Sequence, residues 1–382
     1  MTTDDRMSPD PDARPNAMRV DLGAVSHNVR ELRRGLVGDG TFVAALKANA
    51  YGFGLEAVAP AVLAAGADMI AVAAVDDAIA LRDQGITAPV LLYGGTRPSA
   101  RVLREIVEHD LWATVVDDAD VDAYASAKAG IHVLLKVDVG LERLGAEPPD
   151  AARIARRIAD SPDLVLAGLY THLHVPKGDL AEVTAYADWQ YERFTAVLDE
   201  LDRDGVEVPI RMAASSGALR LTGRMNLNAI DVGSLLYGLE PPGPLGRELD
   251  LRPALLGLTT RLSQVRPRHR HEFKDQSPIP TDREIQLGVI PMGATDGLLG
   301  LTSGQVLIRG KRATVLAVSL EHARLDVSGI EGAAAGDEVV VIGRQGDDEI
   351  TMRDVAVANG LYSPAVAPVL IGRHVPRVYT GG

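Results

Sequence analysis

No cysteine occurs among the 382 residues, and aromatic side chains make up only 4% of them. The first absence excludes thiolate catalysis, disulfides and cysteine-ligated metal, although disulfide-free proteins occur in every compartment. The second, combined with a formal charge of −13, removes the basic, aromatic-studded surface that nucleic acids need, so none is expected as a partner. Long apolar runs are missing too. The tract from Ala57 to Leu81 is interrupted by Pro60, Asp68, Asp76 and Asp77, too often to cross a bilayer. The first sixteen residues are acidic, Pro-rich and without an apolar stretch, so residues 1–17 read as a disordered tail and not a secretory signal. A cytoplasmic location is the expectation that remains.

What is present is ample core material: 46% of the residues are hydrophobic, enough for more than one domain. From residue 41 to about 250, short Val/Leu/Ile-rich runs alternate with helical patterns such as Ser99 to Glu108 and Leu180 to Arg203. The strand candidates are Thr41 to Lys47, Met69 to Ala73, Pro89 to Leu92, Trp112 to Val116, Ile131 to Val137, Leu164 to Tyr170, Pro209 to Ala213 and Leu227 to Val232. This βαβ alternation predicts an α/β fold, a TIM-like (β/α)₈ barrel over residues 18–250, with a doubly wound open sheet as the alternative. After residue 250 the texture changes to short alternating segments with Gly and Asp turns: Ala254 to Leu262, Gln286 to Pro291, Gln305 to Ile308, Ala313 to Val318 and Glu338 to Ile342. Residues 251–382 therefore read as a β-rich C-terminal domain, which a strand near residues 18–22 could join. The charged, proline-broken stretch Arg266 to Glu284 reads as a solvated loop.

In a barrel, the loops that follow the strands share one face. Lys47, Arg143, His172, Ser216 and Asp231 all fall at or just after strand ends, so five scattered positions should converge there. Lys47 closes the apolar run from Phe42 to Leu46. A lysine held against such a wall loses hydration, its neutral amine becomes accessible, and it can condense with a carbonyl. His172 and His174, read as alternate positions of a strand, do not make a metal-ligand set, and no metal is expected.

Several blocks in fixed order carry a resemblance: ALKANAYGFG, KVDVGLERLG, GLYTHLH, RMAASSGA, DVGSLLYGLEPP, LGVIPMGATDG and VPRVY. From about Arg19 to Tyr379 the chain resembles the alanine racemase family of pyridoxal 5'-phosphate (PLP) enzymes, which join an N-terminal barrel to a C-terminal β domain. The resemblance implies an amino-acid racemase that interconverts L and D forms through an external aldimine and an α-carbanion. Lys47 would form the internal aldimine and act as base on one face of the substrate. Tyr51, Ser216 and the backbone around Gly233 and Ser234 would hold the phosphate, with Arg373 assisting by charge. Arg143 would lie near the cofactor's phenolic oxygen and the substrate carboxylate, oriented by Lys136, which is often carbamylated in the family. His172 would pack against the pyridine ring. A homodimer with shared active sites is implied as well.

The sequence also departs from the family pattern. Where the family places an arginine on the pyridine nitrogen, this chain has Asp231, which would stabilise a pyridinium and strengthen the electron sink. No tyrosine lies between Tyr237 and Tyr362 to serve as the second base, and the matching loop offers His269, His271, Lys274 and Asp275 with no spacing that selects one. Ala294 stands at the family's entrance tyrosine, and Ser319-Leu320-Glu321 alters the substrate-side wall. A barrel-type PLP lyase, an aldolase or a decarboxylase, is therefore the alternative reading. A PLP carrier on the same barrel is a third, opposed by the long C-terminal domain.

Overall fold

Each apolar run between residues 41 and 232 is short, rich in Val, Ile, Leu and Ala, and buried almost throughout, as a parallel strand covered on both faces must be. In the computed structural model, which describes residues 14–36, 38–94, 97–241, 243–268, 279 and 283–382, the chain divides into two compact units. One is formed by Gly23–Arg252. The other combines the described residues up to Leu22 with Pro253–Gly382.

The chain's first strand, β1 (Ala17–Asp21), belongs to the second unit. The next eight close into a barrel: β2 (Thr41–Ala45), β3 (Met69–Val72), β4 (Val90–Leu92), β5 (Trp112–Val115), β6 (Ile131–Lys136), β7 (Leu164–Tyr170), β8 (Ile210–Ser215) and β9 (Ala229–Val232). Every neighbouring pair is parallel, and β9 returns to β2 with Asp231 opposite Val43. The closed ring excludes the doubly wound alternative. Its interior is a packed core, with Val43, Met69, Leu91, Leu134, Tyr170 and Met212 in one cluster. Each large apolar side chain buried this way contributes about 1.5–3 kcal/mol. Some helices start at a side-chain cap: the Ser99 hydroxyl accepts the Val102 N–H, and the Asp179 carboxylate accepts those of Ala181 and Glu182 at the start of Leu180–Arg203.

The second unit is a sheet with the order β11-β12-β15-β14-β13-β16-β10-β1-β18, and β17 pairs with β16. Its further strands are β10 (Leu255–Arg261), β11 (Gln264–Arg268), β12 (Ile285–Ile290), β13 (Gln305–Ile308), β14 (Lys311–Val318), β15 (Ala323–Asp326), β16 (Glu338–Gln345), β17 (Asp348–Ile350) and β18 (Arg377–Thr380). All pairings are antiparallel except that of β1 with β18. The stretch expected to be loop from Arg266 begins as strand: Arg266 to Arg268 pair with β12 despite their charges and Pro267. The proline is tolerated because β11 is an edge strand.

Candidate active site

The strand that leads to Lys47 stops earlier than its apolar run suggests. β2 ends at Ala45, and Lys47 opens a single turn, Lys47–Tyr51, in which Ala48, Asn49, Ala50 and Tyr51 all have φ between 53° and 56°. This is left-handed helix built without glycine, a conformation costing roughly 1–2 kcal/mol per residue. The surroundings enforce it. The Leu46 N–H donates to Ala71 O at 2.8 Å, Ala50 N–H returns to Leu46 O at 2.8 Å, and the Asn49 carboxamide oxygen accepts the Leu55 N–H at 2.8 Å, anchoring the next helix. Strain stored this way is common where a reactive side chain must be fixed.

The Lys47 amine lies 5.4 Å from the centroid of the Tyr93 ring and 6.0 Å from that of Tyr51. Burial lowers its pKa, the charge of Asp231 opposes this, and Arg143 adds to it. Tyr51 faces Gly233 so closely that a Cβ there would stand 2.2 Å from the tyrosine oxygen. Only glycine fits. The Gly233 N–H donates to the Ser216 hydroxyl at 3.1 Å, and Ser234 follows, buried, at the start of a 3-10 turn. Ser216 is the first residue of the helix Ser216–Leu221.

Asp231 is a buried member of β9. Its Oδ1 accepts a hydrogen bond from the Tyr93 hydroxyl at 2.7 Å. Burial raises its pKa, while Tyr93, Lys47, Lys136 and Arg143 favour the charged form. Lys136 ends β6 with its amine 5.4 Å from the Tyr170 ring centroid. Burial, with Arg143 adding to it, brings its pKa to about 8.

Arg143 sits on an exposed loop organised by one carboxylate. Asp138 accepts the N–H groups of Gly140, Leu141, Glu142 and Arg143 at 2.7–3.1 Å. Burial opposes its charge, but these four donors outweigh it and hold the carboxyl below its usual range. At Gly145 a Cβ would come within 2.6 Å of the Asp138 nitrogen, and the φ of 143° suits only glycine.

His172 and His174 are not strand residues: β7 stops at Tyr170 and both lie in irregular backbone beyond it, so pleat alternation does not govern them. Burial, reinforced by Lys47, Arg143 and Lys136, draws the His172 pKa down to about 3, so the ring is neutral at ordinary pH.

Lys47, Tyr51, Lys136, Arg143, His172, Ser216, Asp231, Gly233 and Ser234 thus meet at or beyond the C-terminal ends of the barrel strands, joined by close contacts or mutual electrostatic influence. Arg373 lies in the other unit, exposed. So do Ala294 and the segment Ser319-Leu320-Glu321, where Leu320 is exposed and Glu321 pairs with Arg14 at 2.9 Å. His269, His271, Lys274 and Asp275 lie outside the described residues.

Residue-by-residue reading missed Tyr93, Tyr170 and Thr114. Tyr93 follows β4 directly and Tyr170 ends β7, the same strand-end position that singled out Lys47. The Thr114 hydroxyl donates to Leu92 O at 2.9 Å and lies 3.0 Å from the Tyr170 hydroxyl. Chemically, the rim offers an amine that readily loses its proton, hydroxyls and a backbone N–H suited to an oxyanion, and one buried carboxylate among cations.

Known proteins share both sequence and fold with this chain. Residues 20–241 match the family "Alanine racemase, N-terminal domain", and residues 273–379 match "Alanine racemase, C-terminal domain". The alanine racemase of Desulfovibrio desulfuricans is 33% identical over 374 residues, covering 96% of this chain and 98% of that protein. That of Desulfosudis oleivorans is 35% identical over 381 residues, covering 95% and 96%. Among solved structures, the alanine racemase from D-cycloserine-producing Streptomyces lavendulae superposes with a TM-score of 0.85 at 28% identity over 97% of both chains. The Bacillus anthracis alanine racemase with bound L-Ala-P gives 0.85 at 29% identity over 97% of this chain and 96% of the other. These likenesses run the length of both units and decide between the racemase and lyase readings: the chain belongs to the alanine racemase family and is an amino-acid racemase, an isomerase.

Proposed function

We propose that the protein racemises a small amino acid with PLP held at the barrel rim, giving the D form from the L form and the reverse. The observation that carries this is the convergence of Lys47, the Tyr51–Gly233–Ser216 cradle and Asp231 on one rim. The residues present fit the cofactor. The Tyr51 hydroxyl, the Ser216 hydroxyl and the Gly233 N–H lie side by side, in a contact so close that only glycine leaves room for it, and together they suit a phosphate. Asp231 suits a protonated ring nitrogen, and Lys47 suits the aldehyde carbon.

When bound, PLP supplies the electron sink that makes the substrate's α-proton acidic. The chain does the rest. Lys47, with its pKa lowered, takes or returns that proton on one face of Cα. Arg143 holds the substrate carboxylate through paired N–H groups. His172 stays neutral and would pack against the ring of the bound cofactor without competing for its charge. The second proton donor is a group from the partner copy's segment between Arg266 and Glu284. The protein acts as a homodimer with shared active sites, which sedimentation velocity at micromolar concentration tests. Its location is the cytoplasm, where free amino acids and PLP meet; no described helix is long and apolar enough to cross a membrane.

Proton NMR of PLP-loaded protein in D₂O, with paired L- and D-amino acids, tests the reaction. Loss of the α-proton signal together with formation of the opposite enantiomer is the expected result. Exchange with retention, or release of an aldehyde or amine, would refute it.

A further inference from the structure

Tyr93 and Asp231 come from strands that are not neighbours. β4 lies between β3 and β5, β9 lies between β8 and β2, and the 2.7 Å hydrogen bond from the Tyr93 hydroxyl to Asp231 Oδ1 therefore spans the barrel mouth. We propose that Tyr93 is a positioning residue for the reaction, clamping the Asp231 carboxylate in one orientation and keeping it ionised for the cofactor's ring nitrogen. This deepens the PLP reading given above and rests on it.

The clamp is itself held. The Tyr93 N–H donates to Val72 O at 2.9 Å, and the carbonyl of the preceding Leu92 accepts the Thr114 hydroxyl at 2.9 Å, so the tyrosine leaves its strand at a fixed point. Its ring packs against the barrel core, 6.5 Å from that of Tyr170. Tyr93 uses only one carboxylate oxygen. No hydrogen bond among the described residues takes the other, which leaves it for a ligand N–H.

The groups whose charge or hydroxyl acts on Asp231 are Lys47 beyond β2, Tyr51 in the same turn, Lys136 and Arg143 on and after β6, Tyr170 on β7, and Tyr93. The cations favour the ionised carboxylate but also neutralise it. Tyr93 is different: a neutral donor bonded directly to the oxygen stabilises the anion without cancelling its charge. That serves a residue whose task is to hold a proton-bearing nitrogen.

Tyr93→Phe keeps the ring and removes the donor. The test follows the Asp231 carboxyl by carbon-13 NMR in the apoprotein, and kcat, KM and the visible absorbance of the full chain loaded with pyridoxal phosphate, all across pH. Loss of the bond should raise the Asp231 midpoint by about one unit, so kcat on the acid side should fall about tenfold and recover at higher pH, with KM little changed. A kcat profile and carboxyl titration matching the wild type would overturn the inference while leaving the PLP reading intact. A wild type that takes up no pyridoxal phosphate would overturn both. If the variant folds poorly, tyrosine ring-carbon labelling of the wild type serves: one tyrosine signal should titrate with the Asp231 midpoint, and its absence would overturn the clamp.

Discussion

Replacing Ala48 by glycine should stabilise this protein, because Ala48 is the exposed residue of the left-handed turn, at φ 56° and ψ 49°. Two effects compete. The left-handed region costs an L-residue about 1–2 kcal/mol, which glycine escapes. Against that, glycine gives the unfolded chain more freedom, a loss of about 0.4–1 kcal/mol. The difference favours glycine by roughly 0.5–1 kcal/mol, a rise in Tm of about 2–3 °C for a unit of this size. No side-chain burial is sacrificed at an exposed alanine. Ala57→Gly in the right-handed helix Leu55–Ala64 is the control and should cost about 1 kcal/mol. Calorimetric or circular-dichroism melts of both variants read the two signs. If Ala48→Gly destabilises as Ala57→Gly does, the turn is not left-handed and the argument that strain fixes Lys47 fails.

Gly233→Ala should push Tyr51 aside, since the new Cβ would lie 2.2 Å from its oxygen, and should weaken pyridoxal phosphate binding at least tenfold by titration, with the barrel still folded. His172 gives the stability curve a definite slope. Its pKa of about 3 in the folded chain lies below the ordinary value of 6.5, so the unfolded chain binds the extra proton first. Stability should be unaffected by this group above pH 6.5 and fall by a few kcal/mol on acidification toward pH 3. His172→Gln should flatten urea-melt stability over that window, and an unchanged slope would refute the assignment. With its pKa near 8, Lys136 carries about 300 times more neutral amine at pH 7 than an ordinary lysine. Its nitrogen should add to the carbon of CO₂, losing one proton to solvent, and labelled bicarbonate should give a carbamate carbon signal that Lys136→Arg abolishes.

The barrel was legible because buried parallel strands are written as contiguous apolar runs, and the observed strands fall within about two residues of those runs. The turn after β2 was not. Ala-Asn-Ala-Tyr contains no glycine and two good right-handed helix formers, so nothing local signals left-handed backbone; the fixing contacts come from Leu46, Ala71 and Leu55. Asp231 was singled out by its place in a block, but its partner Tyr93 stands 138 positions away in the chain, beyond the reach of any spacing argument. Strand β11 was hidden by its charges, because an edge strand need not alternate apolar and polar residues strictly.

Strand β1 lies between β10 and β18 in the sheet, although the whole barrel separates it in sequence from both. On the ribosome it emerges before the barrel and must wait for partners while residues 23–252 are made, on the order of ten seconds to a minute at ordinary elongation rates. Its brevity and its charged Arg19 and Asp21 suit that wait, since a short, charged strand is a poor template for aggregation. The barrel can therefore mature first, and the sheet is finished last. A fragment made from Pro253–Gly382 alone would lack not one strand but effectively two, because among the described strands β18 pairs with β1 alone.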